Sequence, residues 1–427
     1  MAALGADGDG LLRVDGETWF TPYVLPGERV LVRPGKQHAA ALDAVLEASA
    51  DRVAPPCGLF GRCGGCALQH AGPAAMARFK QGLVRDALVQ AGFTLPPATE
   101  FAGAAPGSRR RMDLALRRTA AGLLIGLHRR ADPGMLGSKS GGSKPDDVVD
   151  MTECHVIKPR LFALIGAMRP VLLRLGCLRG SGALIVNLLD SGPDLLLATD
   201  VPPDSADRSR LADFAREARI PRIAWRPLRG GSLDVETVCS TAPVHHDLSG
   251  TRVSPPPGAF LQASRDSEAA IVAAVLAGLP GRLTRSARIV ELFAGCGTLS
   301  FALAGRARLL AVEGQKDAVA CLRGAASGRL EALHRDLVRQ PLLAVEFARA
   351  VAIVLDPPFA GAGPQMTEVA RSGVACVIMV SCNPRALRQD AGLLHAAGYR
   401  LERLAVIDQF LWSSGVESVS VFVKPRR

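Results

Sequence analysis

A cysteine suited to nucleophilic chemistry lies in the segment Val-Ser-Cys-Asn-Pro near the C-terminus of the chain. Cys382 follows an apolar run, and Asn383 and Pro384 are residues favoured at the cap and the first position of a helix. The dipole and free N–H groups of a helix N-terminus lower the pKa of a nearby thiol. The sequence therefore predicts an exposed, activated nucleophile at Cys382, whereas Cys376, inside the apolar run, is expected to be a small buried residue.

Two acidic residues are candidates to work with this cysteine. Glu417, in Gly-Val-Glu-Ser-Val, precedes the last apolar run and could act as a general base, although a glutamate at such a place is more often a surface charge. Asp356, in Leu-Asp-Pro-Pro-Phe, belongs to a loop type that can hold an exocyclic amine for methyl transfer. The two loops therefore indicate different target atoms, a ring carbon for Cys382 and an amine for Asp356.

The elements that carry these residues follow an α/β pattern from about Arg288 onward. Short apolar runs alternate there with helical stretches, which predicts a buried parallel sheet. The predicted strands are Arg-Ile-Val-Glu-Leu-Phe, Arg-Leu-Leu-Ala-Val-Glu, Ala-Ile-Val-Leu-Asp and Val-Ala-Cys-Val-Ile-Met-Val-Ser. Ligands of open α/β sheets bind at the C-terminal ends of the strands, so the functional residues are expected just after each strand.

The first predicted strand leads into a turn with two glycines, Gly295 and Gly297. Glycines at such a turn let a ligand approach the backbone. Glu313 ends the second strand and is placed to accept a hydrogen bond from a ribose hydroxyl. A nicotinamide site usually has a third glycine where this chain has Ser300, and this difference favours S-adenosylmethionine.

Two aspartates end the next two strands along the chain: Asp336, in His-Arg-Asp-Leu, ends a further strand predicted before Ala-Ile-Val-Leu-Asp, and Asp356 ends the latter. Asp336 could accept a hydrogen bond from the adenine amino group, and a helix N-cap is the alternative interpretation. Asp356 lies on the same predicted rim. Polar or glycine features at four successive strand ends together predict one cofactor site.

This cofactor and a cysteine nucleophile together indicate methylation of carbon 5 of uracil. That carbon is a poor nucleophile, but a thiolate that adds to carbon 6 turns the ring into an enolate whose carbon 5 can attack the methyl sulfonium. A base must then remove the proton on carbon 5 so that the cysteine can be eliminated. Glu417 is the candidate for this base.

Three further cysteines, Cys57, Cys63 and Cys66, have the spacing C-x5-C-x2-C. In a chain without a secretory signal, cysteines favour metal binding or catalysis over disulfides. The triplet suits a [4Fe-4S] cluster, in which one distant cysteine completes four thiolates, because zinc fingers more often have two C-x2-4-C pairs. A zinc site is the alternative.

The composition indicates a polyanionic partner. The formal net charge is +11 at pH 7, and arginines cluster around Arg110 and Arg129, which favours nucleic acid; solubility is the simpler alternative. No apolar run approaches the roughly 18 residues that a membrane span needs, and no secretory signal is present. We therefore expect a cytoplasmic monomer.

Six segments carry a resemblance to a known family. Phe-Leu-Gln-Ala-Ser, Leu-Phe-Ala-Gly-Cys-Gly-Thr-Leu-Ser, Val-Glu-Gly, Leu-Asp-Pro-Pro-Phe, Val-Ser-Cys-Asn-Pro and Gly-Val-Glu-Ser-Val, in this order over residues 260–427, resemble the RNA uracil-C5 methyltransferases. The resemblance implies a class I, Rossmann-like methyltransferase domain with Cys382 as nucleophile and Glu417 as base. It also implies that S-adenosylmethionine contacts six residues: Gln262, Phe293, Thr298, Glu313, Asp336 and Asp356.

The cysteine triplet resembles that of the family branch that acts on 23S rRNA. In that branch a [4Fe-4S] cluster takes its fourth cysteine from a downstream T-x-C-like segment, so Met-Thr-Glu-Cys-His-Val nominates Cys154 over Cys177 or Cys239. The first fifty residues, with short β-rich runs and Asp-Gly and Pro-Gly turns, then resemble its TRAM module. The tRNA-specific branch usually lacks both features. The implied partner is therefore 23S rRNA.

The resulting expectation is an α/β protein of three parts. Residues 1–50 are predicted to form an OB-type or TRAM barrel, with an SH3-like or purely structural barrel as the alternative. Residues 51–255 are predicted to form an α+β RNA-binding domain that carries the iron–sulfur cluster, with 68–100 as a segment able to pack on the catalytic domain. Residues 256–427 form the predicted methyltransferase domain.

Three residues depart from the family pattern, and several other functions stay open. Ser264, Phe359 and Gly415 stand where Asn, Arg and His are common, which affects substrate details. The alternative enzymes are a tRNA uracil-C5, a cytosine-C5 or an exocyclic-amine methyltransferase. A non-enzymatic alternative is an iron–sulfur RNA-binding protein with an inactive methyltransferase domain.

Overall fold

The computed structural model describes residues 3–130, 147–229, 235–284 and 286–425, and the structural statements below concern these residues. They form two large sheets with helices packed on them, preceded by a group of short strands. Among the described helices, none combines the length and the apolar character that a membrane span needs.

Five short strands occupy the N-terminal region. They are β1 (Ala3–Leu4), β2 (Gly10–Val14), β3 (Glu17–Thr21), β4 (Arg29–Pro34) and β5 (Ala40–Glu47). The first three form an antiparallel sheet, and β4 pairs with β5. Asp15 and Gly16 have φ values of 51° and 83°, which a tight two-residue turn between β2 and β3 requires. Closure of these strands into an OB-type or TRAM barrel stays a prediction.

In the described residues, the central region has three helices and ten strands, and seven of these strands form one sheet. Its helices are α1 (Pro73–Gln90), α2 (Pro159–Leu173) and α3 (Ser205–Glu217). Its strands are β6 (Glu100–Gly103), β7 (Arg111–Thr119), β8 (Gly122–His128), β9 (Val148–Asp150), β10 (Ser181–Leu189), β11 (Gly192–Thr199), β12 (Arg222–Pro227), β13 (Glu236–Ser240), β14 (His246–Leu248) and β15 (Thr251–Val253). The sheet order is β13-β12-β11-β10-β7-β8-β9, and α2 and α3 contribute to its apolar core.

The C-terminal region alternates strands and helices, as the sequence predicts. Its helices are α4 (Arg265–Ala277), α5 (Ser300–Ala304), α6 (Lys316–Ala325), α7 (Pro364–Ser372) and α8 (Pro384–Ala396). Its strands are β16 (Arg288–Leu292), β17 (Arg308–Glu313), β18 (Leu330–His334), β19 (Ala350–Leu355), β20 (Cys376–Ser381), β21 (Arg400–Asp408) and β22 (Glu417–Val423). With β6 they form one sheet in the order β18-β17-β16-β19-β20-β22-β21-β6.

The first five strands of this sheet are parallel, and β22 runs antiparallel to both of its neighbours. Their apolar runs are nearly continuous because both faces of the sheet are covered. One face packs on α1, α7 and α8, and the other packs on α4, α5 and α6. Because these strands are parallel, their C-terminal ends lie together along one edge of the sheet, which is called the rim below.

Part of the central region packs on or extends this C-terminal sheet. Helix α1 packs on α8, and β6 pairs in parallel with the end of β21, with Glu100 opposite Ala405. Lys80 of α1 is fully buried, forms an ion pair with Asp408 at the end of β21, and donates to the carbonyl oxygen of Phe410 at 3.0 Å. Helix α1 and strand β6 are thus part of the same structural unit as the C-terminal sheet.

A second buried cation, Arg110, connects the central sheet to the C-terminal region. Arg110, 1% exposed, donates from Nη2 to Glu268 of α4 at 2.6 Å. Its Nε donates to the carbonyl oxygen of Gln262 at 3.1 Å, and its backbone N–H donates to that of Ala263 at 2.8 Å. These bonds fix the segment that precedes α4 against the central sheet.

Candidate active site

Strand register brings three predicted site residues to neighbouring positions on the rim. Asp356 follows β19, Cys382 follows β20, and Glu417 begins β22. The pairing of Ser381 with Ser418 places Cys382 beside Glu417, and β19 lies next to β20 on the other side. Electrostatic coupling among all three side chains reflects this proximity.

The loop that carries Cys382 is held by the residue after it. Asn383 caps α8, since its side-chain oxygen accepts from the N–H of Arg385 at 3.0 Å, and Pro384 is the first helical residue. The side-chain N–H of Asn383 donates to the carbonyl oxygen of Phe359 at 2.8 Å. The predicted helix start is confirmed, and Asn383 also connects the cysteine loop to the Asp-Pro-Pro-Phe loop.

The predicted low pKa of the nucleophile is wrong for this structure. Burial, followed by the charges of Glu417 and Asp356, raises the pKa of the half-buried Cys382 thiol to about 12. Burial is the largest cause and the two acidic neighbours add to it, and together they outweigh the lowering of the pKa expected from the helix N-terminus. Cys382 is therefore a neutral thiol until its surroundings change.

Glu417 is a buried carboxyl, and the surface-charge interpretation is wrong. It is 3% exposed, and its pKa is raised well above the usual value by burial and then by Asp356. Its Oε2 accepts from the side-chain N–H of Gln409 at 2.6 Å. Its Oε1 is buried and has no hydrogen-bond partner among the described residues. One oxygen of this carboxyl is thus held and the other is not.

Asp356 is a half-buried carboxyl that accepts a hydrogen bond from one side-chain amide. Burial raises its pKa to about 7, and the side-chain N–H of Gln262 donates to Oδ2 at 3.4 Å. At pH 7 this carboxyl is therefore divided between its neutral and charged forms. A cation placed beside it would favour the charged form.

The glycine turn after β16 has an open backbone. Phe293, Gly295 and Gly297 have positive φ values of 62°, 56° and 104°. A Cβ on Gly295 would meet nothing within 4 Å, so the turn leaves room for a ligand there. Glu313 supports the turn, because its Oε2 accepts from the N–H of Gly295 at 2.8 Å. Thr298 follows, half-buried, just before α5.

Asp336 lies farther along the rim and has a local structural role. It follows β18 by two residues, and its Oδ1 accepts from the N–H groups of Val338 at 3.0 Å and Arg339 at 3.2 Å. This is the cap-like alternative that the sequence left open. The backbone of Asp336 lies beside Gly314, the residue after Glu313, so it borders the same part of the rim.

Two functional candidates escaped sequence analysis. Gln409, 4% exposed, contacts Glu417, Gln262 and Ala263 through its side chain. Glu291, 2% exposed, has its pKa raised to about 8 by burial, and the hydroxyl of Ser300 donates to it at 2.6 Å. Their polar identity within or beside apolar runs was the available signal, but their partners come from distant segments.

The three departures from the family pattern occupy defined places. Ser264 caps α4 by accepting from the N–H of Ser267 at 3.1 Å. Phe359 is 70% exposed, beside the Cys382 loop. Gly415 lies against the ring of Phe410, 3.2 Å from where a Cβ would be. A larger residue at Gly415 would require this ring to move.

The cysteine triplet lies in a separate cavity of the central region. A cavity of about 180 Å³ is lined by four thiols, those of Cys57, Cys63, Cys66 and Cys154. Cys177 is buried in the core of the central sheet, and Cys239 lies on β13, so neither lines it. Burial raises the pKa of Cys66 to about 12. Among the described residues, no three His, Cys, Asp or Glu side chains are close enough to hold a single metal ion.

Comparison with known proteins finds relatives that are similar to this chain over almost its whole length. Residues 333–425 match the tRNA (uracil-5-)-methyltransferase family. An uncharacterized RNA methyltransferase of Rhizobium meliloti is 37% identical over 99% of this chain and 98% of its own length. A 23S rRNA (uracil(1939)-C(5))-methyltransferase of Chromohalobacter salexigens is 32% identical over 99% of this chain and 88% of its own.

Similarity to a solved structure extends over the same length. The crystal structure of Pyrococcus abyssi tRNA (uracil-54, C5)-methyltransferase in complex with S-adenosyl-L-homocysteine has a TM-score of 0.70 to this chain. The alignment covers 99% of both chains at 20% identity. At this identity the similarity demonstrates the shared fold.

Proposed function

The chain belongs to the RNA uracil-5-methyltransferases, which use S-adenosylmethionine, and from this premise we propose that it methylates carbon 5 of a uridine in 23S rRNA. Cys382 is the nucleophile and Glu417 is the base. The observation that carries the proposal is the meeting of a thiol and a buried carboxyl at the ends of paired strands, with Asp356 beside them.

The proposed reaction assigns one task to each side chain. Cys382 loses its proton to solvent once a positive charge is bound beside it, and the thiolate adds to carbon 6 of uracil. Carbon 5 of the resulting enolate then attacks the methyl group, the bond from sulfur to methyl breaks, and S-adenosylhomocysteine is released. S-adenosylmethionine supplies an electrophilic methyl group on a positively charged sulfur. Glu417 then takes the proton from carbon 5, the double bond re-forms, and Cys382 leaves as thiolate. Burial raises the pKa of Glu417, so its ionised carboxylate is a stronger base than an exposed one.

The cofactor is assigned to the rim around the glycine turn. Phe293, Thr298, Glu313 and Asp336 lie along the strand ends that flank this turn. The open space at Gly295 supports backbone contact with a ligand. Gln262 and Asp356 lie between this turn and Cys382, so they are assigned to the reacting end of the cofactor.

The RNA assignment favours 23S rRNA over tRNA. The support is the full-length similarity to relatives named as 23S rRNA uracil-C5 enzymes, with 32% identity over 99% of this chain. The Pyrococcus abyssi tRNA enzyme supports the shared fold. A tRNA substrate is the alternative outcome of the experiment below.

The four cysteines of the central cavity fit a [4Fe-4S] cluster. Such a cluster takes one thiolate on each iron, and four thiols line this one cavity. A zinc ion bound by the same thiols is the alternative outcome. Anaerobically purified protein is expected to be brown with about four irons per chain. Colourless protein loaded with zinc would contradict this assignment.

Nucleoside mass spectrometry tests the proposed activity. The purified protein is incubated with S-adenosylmethionine and transcripts of 23S rRNA domains or tRNAs, which are then digested to nucleosides. We expect 5-methyluridine from rRNA, and none with Cys382→Ala. A methylated amine or 5-methylcytidine, or full activity of Cys382→Ala, would contradict the proposal. 5-Methyluridine from tRNA alone would change the RNA assignment.

A further inference from the structure

Gln409 is the polar residue that connects the candidate base to the rest of the site. It lies directly after β21, is 4% exposed, and has three side-chain hydrogen bonds. Its Oε1 accepts from the N–H of Ala263 at 2.9 Å. Its Nε2 donates to Glu417 Oε2 at 2.6 Å and to Gln262 Oε1 at 2.9 Å. Both N–H groups of this amide are therefore used.

One backbone N–H fixes the orientation of the whole series. The N–H of Ala263 can only donate, so the oxygen of the Gln409 amide must face it and the NH2 group must face Glu417 and Gln262. The oxygen of Gln262 then faces Gln409, and its NH2 group faces Asp356. Arg110 holds the backbone of this segment. The orientation thus follows from the fold, not from a choice of amide rotamer.

We propose that Gln409 is a positioning residue that separates the tasks of the two Glu417 oxygens. Gln409 holds Oε2, and Oε1, which is buried without a partner among the described residues, takes the proton from carbon 5 of the methylated uracil. This inference rests on the proposed function. In the step concerned, Oε1 gains the proton, the C–H electrons form the C5=C6 bond, and the C6–S bond breaks to release the Cys382 thiolate.

The inference has a kinetic consequence that differs from a loss of folding. Addition of Cys382 and methyl transfer precede the step that needs Glu417. If only proton removal is slowed, the methylated enzyme–RNA adduct must accumulate on ordinary RNA. Loss of the amide donors also favours the neutral form of Glu417, so the pH optimum moves upward.

Gln409→Met tests the inference, because methionine has a similar length and no polar group. We expect turnover about 10- to 100-fold slower, in line with loss of a hydrogen bond to a charged group. We also expect a methylated covalent complex with uridine RNA on denaturing gels, and a rate profile shifted to higher pH. The matched control is Gln365→Met, a fully buried glutamine bonded to the backbone of Leu342, with no accumulation expected.

Two outcomes would overturn the inference. One is wild-type turnover and an unchanged pH profile for Gln409→Met. The other is loss of product and of the adduct with 5-fluorouridine RNA together, which would indicate a structural role alone. Failure of the wild-type protein to form that adduct would instead refute the proposed function.

Discussion

Asp356 and Cys382 are half-buried neighbours, and the buried Glu417 is a third acidic group beside them. The carboxyl has its pKa raised to about 7, and the thiol has its pKa raised to about 12, both chiefly by burial. At pH 7 the thiol is therefore neutral and the carboxyl is only partly ionised. At the residue scale, a positive charge bound in this site therefore lowers the pKa of both Asp356 and Cys382 and favours their ionised forms.

The first prediction concerns the pH dependence of cofactor binding. The charged sulfonium favours ionised Asp356, so the affinity for S-adenosylmethionine should rise as pH increases through about 7 and level off above it. S-adenosylhomocysteine has a neutral sulfur and the same amino-acid end, so its affinity should rise less. Calorimetric titration of both ligands from about pH 5.5 to 8.5 measures the difference.

Asp356→Asn is the control for this prediction. The amide cannot ionise, so the difference between the two pH profiles should disappear. Identical profiles for the two ligands in the wild-type protein would contradict the role given to Asp356.

Sequence analysis reached the residues that carry a motif and missed the one that organises them. Cys382, Glu417 and Asp356 have local signals, namely a helix start or a strand end. Gln409 acquires its role from contacts with Gln262 and Glu417, which the fold alone brings together. The pKa of Cys382 was mispredicted for the same reason, because both the burial that raises it and the acidic neighbours that add to the shift come from other segments of the chain.

At the scale of elements, α8 and its cap form the link between two active-site loops. Asn383 caps the helix and also donates to Phe359 of the neighbouring loop. A change at this position therefore alters both helix stability and the relative placement of Asp356 and Cys382.

The second prediction is that Asn383→Ala destabilises the protein by about 0.5–2 kcal/mol, the usual range for loss of an N-cap. It should also slow formation of the covalent RNA adduct. Ser264→Ala, which removes the cap of α4, is the matched control for stability. Urea denaturation and adduct kinetics provide the two readouts. Unchanged adduct kinetics would show that the contact with Phe359 does not position the loop.

Four strands of the C-terminal sheet were predictable because each is a nearly continuous apolar run, namely β16, β17, β19 and β20. The placement of β22 between β20 and β21 was not, because an antiparallel strand inserted late in the chain has the same local pattern as any buried strand. That insertion is what brings Glu417 beside Cys382. The role of β6 as an edge strand was likewise hidden, since its partner lies about 300 residues away.

At the scale of the whole molecule, buried ion pairs join regions that are distant in sequence. Lys80 of α1 pairs with Asp408, which directly precedes Gln409. The carbonyl oxygen of Trp412, in the same loop, accepts from the N–H groups of Ala67 and Leu68 at 2.8 Å. The segment that carries Cys66 and the segment that precedes Glu417 are therefore in direct contact.

The third prediction concerns the ion pair between Lys80 and Asp408. Lys80→Met leaves Asp408 buried without its cation, and we expect a loss of about 3–5 kcal/mol in the free energy of unfolding. Adding Asp408→Leu removes the unpaired charge and should recover part of that loss. Urea denaturation of the two single variants and the double variant measures the coupling. Additive effects in the double variant would contradict a buried pair.

The boundaries between the three predicted parts are blurred in the structure. The predicted division at residue 255 came with the expectation that residues 68–100 could pack on the methyltransferase domain, and in the structure α1 packs on the C-terminal sheet and β6 extends it. Hydropathy patterns identify helices and strands but do not show which sheet each one joins or packs on. In this chain the ion pair of Lys80 with Asp408 and the pairing of β6 with β21 hold α1 and β6 to the C-terminal sheet.

Covalent capture of Cys382 by 5-fluorouridine RNA tests the central claim most directly. Fluorine on carbon 5 cannot be removed as a proton, so the cysteine remains bonded to carbon 6 after methyl transfer. With S-adenosylmethionine, we expect the wild-type protein to form a complex that survives a denaturing gel and Cys382→Ala to form none. A wild-type protein that methylates uridine RNA but forms no such complex would contradict the account.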